Sequence, residues 1–133
     1  MKRPAQSGFT LMEVMVTLAI IGILAAIVYP NYVDSVRKNN RASAKAEMAS
    51  VSQRLQQFYS DGVGAATYTT SLTALGYPSG TLYSPSKGHT ITVEAGADGI
   101  DSSFTIKATP VADDEACGEL TLDHLDTYLP TGC

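Results

Sequence analysis

The 133 residues fall into three regimes of apolar and polar positions. The first, Phe9–Tyr29, is apolar on every side, with Glu13 as its one charge. At about 1.5 Å per residue such a helix reaches roughly 30 Å, the thickness of a bilayer's hydrocarbon core. A helix on a soluble domain shows a single apolar stripe instead. A secretory signal has a shorter apolar region ending at a small-residue cleavage site, whereas this run continues through Ala25-Ala26. A core helix of this length would need more chain around it than the residues after Ser60 supply. The pattern predicts a membrane-spanning helix. Beyond Pro30 the period changes: Val33, Val36, Ala44, Met48, Val51, Leu55 and Phe58 recur at spacings near three or four. That predicts an amphipathic second half running to about Ser60. Gly22 and Pro30 cost about 1 and 3 kcal/mol in a helix relative to Ala, so a kink near Pro30 is expected.

The third regime starts at Asp61. Residues 61–88 show no sustained period and carry turn signals at Tyr77-Pro78-Ser79-Gly80 and Ser84-Pro85, which predicts an irregular connection. Thr90–Glu94 and Phe104–Ala108 then alternate around the turn Ala95–Gly99 and read as a hairpin. Glu119–Asp123 alternates as a third strand, and Tyr128–Leu129 extends it after a turn. The expected fold is α+β: a long N-terminal helix laid on a small antiparallel sheet.

Charge sharpens this division. Nine Lys and Arg stand against thirteen Asp and Glu, a net of −4. Residues 31–60 hold five cations (Arg37, Lys38, Arg41, Lys45, Arg54) against Asp34 and Glu47, whereas 61–133 hold ten acids against Lys87 and Lys107. An acidic outer part argues against nucleic-acid binding, which relies on Lys and Arg neutralising phosphates, so DNA is not expected as a partner. The strip Arg37, Lys38, Arg41 and Lys45 reads as a solvated helix face, with lipid headgroups or DNA as the functional alternatives. Lys2, Arg3 and the amino terminus before the apolar helix balance Arg37, Lys38 and Arg41 after it, so charge leaves its orientation open. Cys117 and Cys133 suit an oxidising compartment, which places the C-terminal part outside the cytoplasm.

Glu13 calls for a reason, because a carboxylate in a membrane segment costs roughly 2.5–3.5 kcal/mol on insertion scales. One reason is local: Thr10-Leu11-Met12-Glu13 fits the capping box, with a carboxylate favoured at a helix start. The leader Lys2–Gly8 followed by Phe9-Thr10-Leu11-Met12-Glu13 also resembles the class III signal of type IV pilins and pseudopilins, in the type IVa group. The resemblance implies a pilin fold, cleavage between Gly8 and Phe9 by a prepilin peptidase, and N-methylation of Phe9. It implies that Glu13 of one subunit pairs with the amine of an incoming neighbour during assembly, and that the helix bends or loosens between Gly22 and Pro30. The expected organisation is then a leader at 1–8, an assembly helix at 9–30, its amphipathic half at 31–60 and a head at 61–133. Within the head, 61–88 is the αβ-loop and 89–133 the sheet and cystine loop.

Cys117 and Cys133 are the two cysteines. A disulfide would close a loop of about seventeen residues and stabilise by roughly 3 kcal/mol. Two free thiols or a zinc pair are the alternatives, and the pilin resemblance favours the disulfide. Cys117–Asp123 with Thr131-Gly132-Cys133 resembles the tail of the minor pilins named PilE. Asp113-Asp114-Glu115 and Asp98–Asp101 are acidic spots without a calcium-loop pattern and read as exposed turns. His89 and His124 read as ordinary. No metal, cofactor or enzymatic activity is expected, since no phosphate loop, nucleophile elbow or HExxH appears. The resemblance implies a structural subunit, first in the inner membrane with its head in the periplasm and then in a surface pilus. Its partners would be other pilins, the peptidase, the assembly platform and membrane lipid, in support of pilus biogenesis, twitching motility, adhesion or DNA uptake. A type II secretion pseudopilin and a competence pilin acting as DNA receptor are the alternatives.

Overall fold

The computed structural model describes residues 8–62 and 66–133; the leader residues 1–7 and a short part of the αβ-loop lie outside the described residues. The chain forms two compact units, residues 1–36 and 37–133. One helical element, α1 (Leu11–Ser60), has its first part in the former and its remainder in the latter.

In the first unit helical geometry continues through Gly22 and Pro30. The helix starts where the sequence indicates. The backbone N–H of Glu13 donates to Thr10 Oγ1 at 3.2 Å, so Thr10 caps the first turn as in a capping box. Side chains from Phe9 to Tyr32 are exposed throughout. An 18-residue window here has a mean hydropathy of 2.6, long and apolar enough to cross a membrane.

In the second unit five strands form one antiparallel sheet, ordered as they occur in the chain: β1 (Leu82–Tyr83), β2 (His89–Ala95), β3 (Phe104–Pro110), β4 (Leu120–Asp123) and β5 (Tyr128–Leu129). The period of two sends Ile91, Val93, Phe104, Ile106, Ala108, Leu120 and Leu122 to one face. Against them α1 lays Ala44, Met48, Val51 and Leu55, all fully buried. Burial thus begins at Ala44; Val36, expected on the same face, is exposed.

The span 61–88 is more structured than its sequence predicts. β1 lies inside it, paired with β2 through Leu82↔Ile91 and Tyr83↔Thr90. Two residues are too short to show a period, so this strand exists by virtue of its partner. The turn at 72–77 buries Leu72 and Leu75 and is tied to the helix by Arg54. Arg54 Nη1 donates to the Leu75 carbonyl at 3.0 Å, and its guanidinium lies 4.6 Å from the Tyr77 ring centroid. At the other end of the loop Tyr68 stacks on Tyr59 at 4.7 Å and meets Phe104 edge-on at 4.9 Å.

Candidate nucleic-acid interface

The strand register sorts the head's charges by end. Ala95 pairs with Phe104 and Thr105 with Asp123, so the β2–β3 and β4–β5 turns lie at the same end of the sheet. They carry Asp98, Asp101, Asp123 and Asp126. The opposite end holds the β1–β2 turn (84–88) and the β3–β4 loop (111–119), with α1 from Arg37 to Ser43 against them. Ser86 N–H donates to Ser43 Oγ at 3.1 Å, and Val111 N–H to the Gly88 carbonyl at 2.9 Å. This end gathers Arg37, Lys38, Arg41 and Lys87, with Lys45 one turn further along α1. Against these five cations stand Asp113, Asp114, Glu115 and Glu119.

Two close approaches position the cations. Gly88 sits so near α1 that a Cβ there would lie 2.5 Å from Asn40 Cγ, so only glycine lets the β1–β2 turn come this close. The turn's backbone is pinned by Lys87 N–H to the Ser84 carbonyl at 2.7 Å, and the Lys87 side chain is exposed. On the other side Arg41 Nε and Nη2 both donate to the Asp114 carboxylate. Asp114 is buried, and its carbonyl accepts from the N–H groups of Cys117 (3.3 Å) and Gly118 (2.7 Å). The hydrogen bonds and charge of Arg41 hold the Asp114 carboxyl below its ordinary value, with Arg37 adding to the effect. Lys45 sits 5.6 Å from the Tyr128 ring centroid, a cation–π distance.

Two expectations change here. Asp113-Asp114-Glu115 is not simply an exposed acidic turn, because its central residue is the buried partner of Arg41. Arg41, expected on a solvated face, is half-buried and shared with the head. Neither pairing has a local signal: the partners are 73 residues apart. His89, read as ordinary, is fully buried on the inner face of β2. His124 lies edge-on to Phe104 at 6.4 Å.

The remaining residues singled out from sequence fall in two places. Gly8, Phe9 and Glu13 are exposed at the start of α1, and Gly22 and Pro30 lie within it. Cys117 and Cys133 form a disulfide, with Cα atoms 6.0 Å apart, that closes the C-terminal loop. Among the described residues no group of three or more His, Cys, Asp or Glu side chains could hold a metal ion. Lys107, on the outer face of β3, pairs with Glu94 at 2.8 Å and stands apart from the basic end.

Residues 30–121 match the family model described as "Type IV minor pilin ComP, DNA uptake sequence receptor", and residues 3–29 match the prokaryotic N-terminal methylation motif. The chain is similar to a fimbrial protein of Pseudomonas aeruginosa, 35% identical over 71% of this chain and 64% of that protein. It is also similar to type II secretion system core protein G of Aeromonas hydrophila, 36% identical over 56% of this chain and 52% of that protein. The chain thus spans between half and two thirds of the length of these relatives. A solved type IV pilin from Shewanella oneidensis aligns with a TM-score of 0.48 at 23% identity, covering 71% of this chain and 93% of that one. The first of these matches runs against the expectation that DNA is not a partner. That expectation rested on the charge of residues 61–133 alone, whereas four of the five cations at this end come from α1.

Proposed function

Because the chain belongs to the type IV pilin family, and within it to the ComP minor pilins, we propose that it is a structural subunit of a type IV pilus that binds DNA through its basic end. The observation that carries this reading is the family match over residues 30–121, which takes in Arg37, Lys38, Arg41, Lys45 and Lys87. Phosphate contacts by Lys and Arg supply the sequence-independent part of DNA affinity, and the clustering of cations at one end supports such contacts here. The family is structural and non-enzymatic. The tail likeness to PilE is a finer reading within the same class of minor pilins. The secretion pseudopilin reading is favoured only by the partial likeness to core protein G.

In this reading the peptidase cuts between Gly8 and Phe9 in the inner membrane and Phe9 is N-methylated, supported by the methylation-motif match. The head then lies in the periplasm until assembly carries it to the cell-surface pilus. There the Phe9 amine pairs with Glu13 of a neighbouring pilin, each cancelling a charge expensive in low dielectric. Gly22–Pro30 is the stretch that loosens on assembly. Mass spectrometry of sheared filaments tests the processing: a peptide beginning at N-methyl-Phe9 is expected. Glu13→Gln keeps a capping side chain and removes the charge, so wild-type incorporation of that variant would defeat the ion-pair role.

DNA binding is tested with the full chain in detergent. Duplex carrying an uptake sequence of the source genome and a scrambled duplex are titrated across salt concentrations. If three or four cations each neutralise a phosphate, log affinity falls against log salt with a slope of about −3 to −4. Lys87→Ala and Lys38→Ala should each reduce that slope by about 1, whereas Lys107→Ala, remote from the basic end, leaves it unchanged. Absence of DNA binding even at low salt would overturn the reading.

A further inference from the structure

Beneath the basic end lies a titratable group that the fold does not use. The His89 side chain is 2% exposed, and neither Nδ1 nor Nε2 has a hydrogen-bond partner among the described residues. Buried polar groups are nearly always paired, so an orphaned imidazole calls for an explanation. Its backbone is pinned: His89 N–H donates to Ser84 Oγ at 3.1 Å, and its carbonyl accepts from Ser84 N–H at 2.9 Å. The ring therefore cannot leave its site by a shift of the strand.

The charges acting on the ring come from the two elements that meet there. Asp114, from the β3–β4 loop, favours the protonated form; Arg41, from α1, opposes it. Arg37 acts on Asp114 from the same helix, and Lys87 precedes His89 by two residues in the chain. Burial is the largest influence and holds the imidazole below its ordinary value, so it is neutral at neutral pH. Asp114 is also the hinge of its loop: its carboxylate holds Arg41, and its carbonyl holds the turn leading to Cys117.

We infer that His89 is a proton-operated latch on the basic end: protonation sets a second cation near the Arg41–Asp114 pair with one carboxylate for two cations, and the β3–β4 loop lets go of α1. No bond is made or broken; one proton enters from solvent and Asp114 is shared. Opening hydrates the imidazolium and frees the Arg41 guanidinium for phosphate. That last consequence rests on the DNA-binding reading, whereas the opening itself does not. Protonation of histidine near pH 5–6 is a recurring switch at pH-sensitive interfaces.

Hydrogen exchange on the full chain in detergent tests the latch at about pH 7.5 and about pH 5.5, with intrinsic exchange rates corrected. Protection of the 111–118 amides should fall by about tenfold at the lower pH, and His89→Leu should abolish that fall. An NMR titration of the His89 ring in the unmodified chain provides a check that needs no variant: it should titrate below the ordinary imidazole value. Protection indifferent to pH, a fall that persists in His89→Leu, or His89 titrating at or above the ordinary imidazole value would each overturn the latch. In parallel, DNA affinity at fixed ionic strength should rise severalfold at the lower pH and fail to rise in His89→Leu. If the loop opens with no rise in a chain that binds DNA, the link to phosphate is overturned. If the chain binds no DNA at either pH, the DNA reading fails while the exchange data still decide the latch.

Discussion

The Arg41–Asp114 pair shows how much a single contact holds. Its side chains are 13% and 5% exposed, so water screens neither well. Arg41→Ala leaves a carboxylate buried without its cation, and a loss of about 2–3 kcal/mol in urea unfolding is expected, at or below the lower end for a broken buried pair because the site lies at the sheet's edge. The pair and His89 also divide the pH axis. The unfolded His89 binds a proton near 6.5 and the folded one at lower pH, so stability rises with pH across that window and is lost as pH falls below about 6.5. Asp114 acts further down, its folded value lying below 3.8, so its contribution is present above that value and lost as pH falls through the depressed one. Melting temperatures followed from neutral pH downward should show two separate declines. His89→Leu should remove the upper one and Asp114→Asn the lower.

Glycine and core positions set how the elements meet. Gly88→Ala drives a Cβ into Asn40 and should cost about 1–3 kcal/mol, measured by denaturant unfolding. Asn40→Gly, which removes both the Cβ and the Cγ that a Cβ at residue 88 would strike, should recover part of that loss in the double variant, since the clash is with the Asn40 side chain alone. Failure of this rescue would place the cost elsewhere in the turn. In the sheet Phe104 is fully buried between Tyr68 and the strands, and Phe104→Ala should cost about 3–5 kcal/mol. The short edge strands β1 and β5 leave few unpaired backbone groups for another chain to extend, which suits a head packed among others.

For the head taken together, the disulfide and the helix supply the long-range ties. Cys117 and Cys133 are 16 residues apart, and replacing both with Ser should lower unfolding stability by roughly 3 kcal/mol on the chain-entropy account. Lys45 over Tyr128 adds a contact between α1 and the same loop, while Asp114 holds the segment just before Cys117. The gathering of cations at one end gives an acidic protein a locally basic surface. Net charge describes solubility and long-range steering; a local interface answers to its own few side chains.

Helix, strands and the apolar first half of α1 were legible from residue order because each is set by a local period. Every side of Phe9–Tyr29 is apolar, Ala44 through Leu55 repeats at helical spacing, and Thr90–Glu94 and Phe104–Ala108 alternate. Residues three, four or two positions apart decide those outcomes whatever the rest of the chain does. Thr10 capping Glu13 belongs to the same class, since its partners are three residues apart. β1, the staple of Arg54 on Leu75 and Tyr77, the burial of His89 and the Arg41–Asp114 pair had no such signal. Each depends on a partner brought close only when the sheet closes on α1, across 21 residues for Arg54 and 73 for Arg41. The charge-based argument against DNA missed the basic end for that reason: composition sums charges along the chain, and only the fold assigns them to ends.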